Sequence, residues 1–125
     1  MAVIPDRVLD ILAEPRSVTM VGTVDKNGVP NVIVITTLSI LNPETIAFAD
    51  IFLGKTKTNL RQNGKITVAV IGGEKEAYQI ECRFVHFEDR TPLFYRWRNL
   101  LWDRIKVEIK GVAIAGVVNV RRAEL

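Results

Sequence analysis

From Ala77 to Phe87 the chain alternates strictly, with Tyr78, Ile80, Cys82 and Phe84 on one side and Gln79, Glu81 and Arg83 on the other. Successive side chains of a strand point to opposite faces, so a period of two dictates a half-buried strand. The same reading extends in both directions. Ser17–Asp25 reads as a strand followed by Lys26-Asn27-Gly28, and Asn-Gly readily takes the positive φ of a hairpin turn. Val29–Leu41 reads as one long strand, Asn42-Pro43-Glu44 as a turn, and Thr45–Ala49 and Lys65–Ile71 as further strands. Gly72-Gly73 then turns the chain into the alternating segment, and a last strand runs from about Val107 to Val120.

Three stretches carry helical spacing instead. Pro5 followed by Val8, Leu9, Ile11 and Leu12 predicts a short helix that ends near Pro15. Lys55–Asn63 predicts a second, with Gly64 placed to end it, and Thr91-Pro92 opens a third whose stripe is Phe94, Trp97, Leu101 and Ile105. The sum is a mainly β protein of six strands, mostly antiparallel neighbours, with three short flanking helices. A closed or nearly closed barrel solves this pattern because it leaves few bare sheet edges. With 125 residues and no linker or repeat, a single domain over 1–125 is expected.

Two strands break the inside-outside rule. Val32, Ile33, Val34 and Ile35 are apolar on both faces, as is the run Val112-Ala113-Ile114-Ala115-Gly116-Val117-Val118. A sheet with one face in water should alternate, so the chain's own helices or a second subunit must cover the outer face. A homodimer is the expectation, two-fold pairs being the commonest oligomers.

The single cysteine, Cys82, cannot form an internal disulfide and is too little for a thiolate metal site, which suits a reducing compartment. No basic segment followed by a long apolar run opens the chain, and no stretch is long enough to span a bilayer as a helix. A cytoplasmic protein without membrane or metal is expected. Net charge is only +3, but its distribution is uneven. Between Asp50 and Glu74 there is no acid, while Lys55, Lys57, Arg61 and Lys65 are all positive, and Arg90–Lys110 is also rich in basic residues. Such local fields attract phosphate or a nucleic-acid backbone.

The run Ala49-Asp50-Ile51-Phe52-Leu53-Gly54-Lys55-Thr56 imitates a relaxed P-loop. Three bulky apolar side chains and a carboxylate are poor material for a polyphosphate cradle, and the hairpin pattern opposes a parallel nucleotide-binding sheet. The other reading uses only the end of the run. Gly54 closes a loop, Lys55 and Thr56 open a helix, and the first N–H groups of a helix point at any bound anion. Lys55 supplies a charge, Thr56 a hydroxyl donor, and Asn59 lies one turn on from Lys55, on the same face. One monophosphate suits this group. The plain alternative is a pair of surface lysines, Lys55 and Lys57, beside an ordinary helix-start threonine.

The order of these features, a Gly turn, a long strand after Pro30-Asn31, a strand ending at Ala49-Asp50, then Gly-Lys-Thr-x-x-Asn-Leu and another apolar strand, resembles the FMN-binding split-barrel family. That family includes the pyridoxamine 5'-phosphate oxidase-like proteins and small FMN-binding proteins, and the resemblance covers roughly residues 5–90. It implies a six-stranded antiparallel split β-barrel and an FMN-dependent role in oxidoreduction or electron transfer. It implies that Lys55 and Thr56 contact the FMN phosphate and that the backbone around Ile35, Thr36 and Thr37 lies along the isoalloxazine ring. Ala49 and Asp50 fall near the ribityl chain, and a homodimer holds the flavin near its interface. The deazaflavin F420, or haem with His86 as axial ligand, are the family's other ligands.

The remaining chemistry-bearing residues read as structural. His86 is the only histidine, and a lone histidine is weak evidence for catalysis. Cys82 alternates with core residues and reads as a packed thiol. Trp97 belongs to the helix stripe, whereas Trp102 falls off it and is open to an exposed, interfacial or flavin-stacking role. A nucleic-acid-binding β-barrel is the rival of a different class, but it would need exposed aromatics, and only Tyr95 and Trp102 look free.

Overall fold

The hairpins expected from the turn residues form as read. In a computed structural model, which describes residues 2–73 and 75–124, β1 (Val18–Val24) and β2 (Pro30–Ile35) are joined through Gly28 at φ 84°. Asp25 fixes that turn, its carboxylate accepting from the N–H groups of Asn27 and Val29. β5 (Lys65–Ile71) and β6 (Glu76–Glu88) form the second hairpin, with Val68 opposite Ile80 and Ile66 opposite Cys82 on the inner face. β3 (Ser39–Asn42), β4 (Thr45–Ala49) and β7 (Val112–Glu124) complete one antiparallel sheet in the order β2-β1-β5-β6-β7-β4-β3.

There are seven strands rather than six, because Val29–Leu41 is not one strand. β2 stops at Ile35, the chain bends at Thr36, and β3 begins at Ser39. The sheet order explains the break: β2 and β3, adjacent in sequence, are the two opposite edges of the ladder. The bend carries the chain across the split of the barrel, and no single strand can pair at both edges. The last strand also starts later than expected, at Val112, and runs on to Glu124. Residues 107–111 instead fold back on the end of β4, with the Asp50 N–H donating to the Gly111 carbonyl at 2.9 Å.

The helices match the punctuation. α1 (Asp6–Leu12) buries Val8 and Ile11 under the barrel. α2 (Lys55–Gln62) packs on β1 and β2 and ends where Gly64 takes φ 77°. α3 (Pro92–Ile105) is capped by the Thr91 hydroxyl, which accepts from the Phe94 N–H. Inside the barrel, Val21, Phe48, Leu60, Val68, Ile80 and Val117 are among a single apolar cluster. No helix among the described residues is long and apolar enough to cross a membrane.

The two strands apolar on both faces have different fates. Behind β7, Val112 and Ile114 are covered by the chain's own Phe94 and Ile109, with Leu93, Trp97 and Leu101 of α3 packed alongside. Ile105, expected on that stripe, is 58% exposed and lies outside this cluster. On β2, Val32 and Val34 are 63% and 67% exposed.

Candidate functional site

The loop after β4 sets the start of α2. Ile51 donates to the Ala49 carbonyl, Phe52 takes φ 51°, and Gly54 takes φ 56° with ψ −126°, a conformation that favours glycine. Phe52 is 87% exposed on this bend. Gly54 offers no side chain to cap α2, so the helix begins without a side-chain hydrogen bond. The Thr56 and Lys57 N–H groups donate to the Leu53 and Gly54 carbonyls at 3.0 and 3.2 Å, so it is the helix dipole, with Lys55, that favours an anion here.

Lys55 stands beside this start. It lines a groove of about 300 Å³ with Asn31, Thr58 and Asn59, and among the described residues no carboxylate pairs with it. Asp25 is the acid in the same groove, and its carboxylate is held by the hairpin turn. Lys57, by contrast, is ion-paired with the buried Asp50 and lies over the Phe87 ring, which Arg61 also approaches.

Thr56 and Asn59 are placed differently from the expectation. Thr56, Asn59 and Leu60 share the inward face of α2 at the three- and four-residue spacing of a helix, and all three are buried. The Thr56 hydroxyl does not open on the groove; it accepts from the Asn31 side-chain amide at 3.1 Å. The Asn59 amide lines the groove but donates to the Thr23 hydroxyl at 3.0 Å. These two bonds fasten α2 to β1 and β2 and so fix where Lys55 stands. Asn31 was not singled out from sequence as a site residue; its position two residues before the apolar Ile33-Val34-Ile35 run gives no sign of a partner on a distant helix.

At the other end of β2, Ile35 is buried in the core, Thr36 is exposed on the bend, and the Thr37 hydroxyl accepts from the Ala49 N–H at 3.0 Å. The structure therefore brings Thr37, Ala49 and Asp50 together, and separately Lys55, Asn59 and Asn31. The edge strand β2 links the groups, spanning about 13 Å between Asn31 and Ile35 at the usual rise per residue.

The other candidates lie apart. Burial pushes the Cys82 thiol up to about 12, so it is not a nucleophile at neutral pH. His86 is exposed on β6 with its ring 3.1 Å from the Glu88 carboxylate. Trp102 and Tyr95 are exposed on α3, each beneath a cation, Lys106 and Arg98 respectively. Among the described residues no cluster of metal-ligating side chains occurs.

Comparison with known proteins follows the fold. Group A Streptococcus HupZ superposes with a TM-score of 0.83 at 21% identity, covering 97% of this chain and 94% of that one. An FMN-binding protein from Syntrophomonas wolfei subsp. wolfei gives 0.76 at 22% identity, covering 86% of this chain and 77% of that one. HutZ, the haem storage protein from Vibrio cholerae, gives 0.62 at 13% identity, covering 94% and 93%. No curated protein sequence matches. The pyridoxamine 5'-phosphate oxidase family model matches residues 4–122, from the segment before α1 to the end of β7. A match over almost the whole chain, on a split barrel of this topology, places the protein in the pyridoxamine 5'-phosphate oxidase family.

Proposed function

We propose that this chain is an FMN-binding flavoprotein serving oxidoreduction or electron transfer, with the FMN phosphate held at the start of α2. One observation carries the reading: Lys55, which has no carboxylate partner among the described residues, stands at a helix start that has no side-chain cap, at one end of the edge strand β2. The residues fit a monophosphate. They supply one cation at the positive end of a helix, while the nearby acids Asp25 and Asp50 are engaged by the turn amides and by Lys57. In this reading Thr56 and Asn59 orient α2 from behind, and the ligand runs along β2 towards Ile35, Thr36 and Thr37, with Ala49 and Asp50 at its flank. FMN, when bound, supplies the hydride or electron transfer; the protein contributes binding, orientation and exclusion of water.

The partner in this reading is a second copy. Val32 and Val34 leave an uncharged edge strand bare, and an unprotected edge of this kind invites pairing. A two-fold contact there would bury both valines and set the flavin cleft near the interface. A single buried cysteine agrees with a reducing, cytoplasmic setting.

The visible spectrum of the purified protein, before and after adding FMN, is the test. Retained or acquired flavin absorbance is the expected result, and a colourless protein that binds no FMN refutes the reading. A Soret band after haem addition, lost in His86→Ala, would instead assign haem, and F420 binding with no FMN binding would assign the deazaflavin. Val34→Asp should convert the dimer to a monomer in sedimentation; a monomeric wild type would refute the pairing.

A further inference from the structure

α3 turns one face to the sheet and the other to solvent. Leu93, Phe94, Trp97 and Leu101 are spent on the cluster with Val112 and Ile114. On the far side Tyr95, Asn99, Trp102 and Lys106 follow at spacings of four, three and four, which keeps them in one line along the helix. The two rings stand one heptad apart, about 10 Å along the axis. Both are exposed, Tyr95 at 41% and Trp102 at 45%. Each carries a cation: the Arg98 guanidinium lies 4.9 Å from the Tyr95 ring centre and the Lys106 ammonium 5.5 Å from that of Trp102.

The charge around this line is positive. Residues 90–110 hold six basic side chains against Asp103 and Glu108, an excess larger than the +3 of the whole chain. Among the described residues none of the six is ion-paired with a carboxylate. Beside Trp102 a groove of about 460 Å³ is lined by Arg98, Asn99, Asp103 and Glu108. None of these residues lies on the edge strand β2, where the second copy is proposed to pair. β1, β5 and β6 stand between β2 and β7 in the ladder.

We propose that the exposed face of α3 binds single-stranded nucleic acid. Bases stack on Tyr95 and Trp102, and Arg98 and Lys106 contact the phosphates between them. Alternating rings and cations match a single strand, in which every base offers a stacking face and every linkage a negative charge. Asp103 and Glu108 repel phosphate but accept from the amino group of a base, so base edges enter the groove and the backbone stays with the cations. A membrane surface suits this face less well. An interfacial helix buries a free apolar face, whereas α3 has given its own to β7 and exposes Asn99 and Asp103 among its rings. A second copy of the chain carries the same positive charge.

Fluorescence anisotropy of a 5'-labelled, mixed-sequence DNA strand of about 12 nucleotides, titrated with the full chain, tests the proposal. Neutralising two or three phosphates should make binding about 7- to 20-fold weaker at about 200 mM salt than at about 50 mM. The duplex of the same sequence should bind more weakly, its bases being already stacked. Trp102→Ala should lose at least about fivefold, the worth of one stacked base, while Trp102→Phe keeps most of the affinity. Arg98→Gln should flatten the salt slope by about 0.7. Both side chains are exposed, so these variants should melt and bind FMN as the wild type does. No binding at about 50 mM salt, a duplex bound as tightly as the strand, or undiminished binding by both Trp102→Ala and Arg98→Gln would overturn the site. Binding to vesicles of phosphatidylserine and phosphatidylcholine without binding to the strand would overturn it too, and give the face to a membrane.

Discussion

Lys55 and Thr56 are neighbours in sequence but have opposite places in the structure, and two single variants separate their roles. Lys55→Ala removes an exposed cation that pairs with no carboxylate among the described residues, so the fold should hardly notice. If Lys55 binds the FMN phosphate, its loss removes a hydrogen bond to a charged group. Such a bond contributes about 1.5–3 kcal/mol, and exposure to water puts Lys55 at the low end, so FMN affinity should fall about tenfold. Thr56→Val has the reverse pattern. The side chain is fully buried and its hydroxyl accepts from Asn31 at 3.1 Å, so an isosteric apolar replacement leaves that amide short of a partner. The cost is about 1 kcal/mol, or about 3–6 °C in melting temperature for a domain of this size. FMN affinity should stay within about twofold, because the hydroxyl does not reach the groove. Thermal melts of the apo variants and FMN titration by flavin fluorescence, in one buffer, give both numbers. If Thr56→Val loses FMN as severely as Lys55→Ala while melting like wild type, the hydroxyl is a phosphate ligand and the inward face assigned to α2 is wrong.

Phe48 is fully buried in the barrel, so Phe48→Ala should cost about 3–5 kcal/mol in urea denaturation; a loss under about 1 kcal/mol would mean the core is packed differently. Cys82 should resist Ellman's reagent at pH 8 in the native protein and react once unfolded. Its native value of about 12 lies above the ordinary 9.0, so the unfolded chain loses its proton first. Stability should therefore decline between about pH 9 and 12, and Cys82→Ala should flatten that decline. Glu76 is held below the ordinary carboxylate value by its hydrogen bond from Arg7, which ties β6 to α1. Its contribution is present above the ordinary value of 4.5 and is lost as pH falls through the lowered native value, so Glu76→Gln should reduce the acid dependence of the melting temperature; an identical pH profile would show that the pair adds nothing.

The sequence by itself determined what local periodicity and turn chemistry can dictate. The alternation from Ala77 to Phe87 makes β6, Asn27-Gly28 makes the first hairpin, Gly64 ends α2, and Thr91-Pro92 starts α3. These follow from backbone geometry over a few residues, which is why they can be read from one segment at a time. The resemblance carried by Gly54-Lys55-Thr56 led to the family, and the same local pattern placed Lys55 at a helix start.

Only the tertiary structure decided the rest. Val29–Leu41 reads as one strand because nothing in its residues says that its two ends belong to opposite edges of the sheet. Whether β7 or β2 would be covered could not be read from their similar apolar runs; it depends on where α3 lands, on β7, which follows it directly in the chain and lies far from β2 in the ladder. The helix period puts Thr56 and Asn59 on one face with Leu60, but only the position of β1 and β2 shows that this face points inward, onto Thr23 and Asn31. Tyr95, Trp102 and Lys106 likewise fall in one line by helix period, but only the seating of α3 on β7 turns that line to solvent. Charge, turns and periodicity are properties of neighbours along the chain, whereas burial and opposition are properties of neighbours in space, and the barrel is what brings the second kind together.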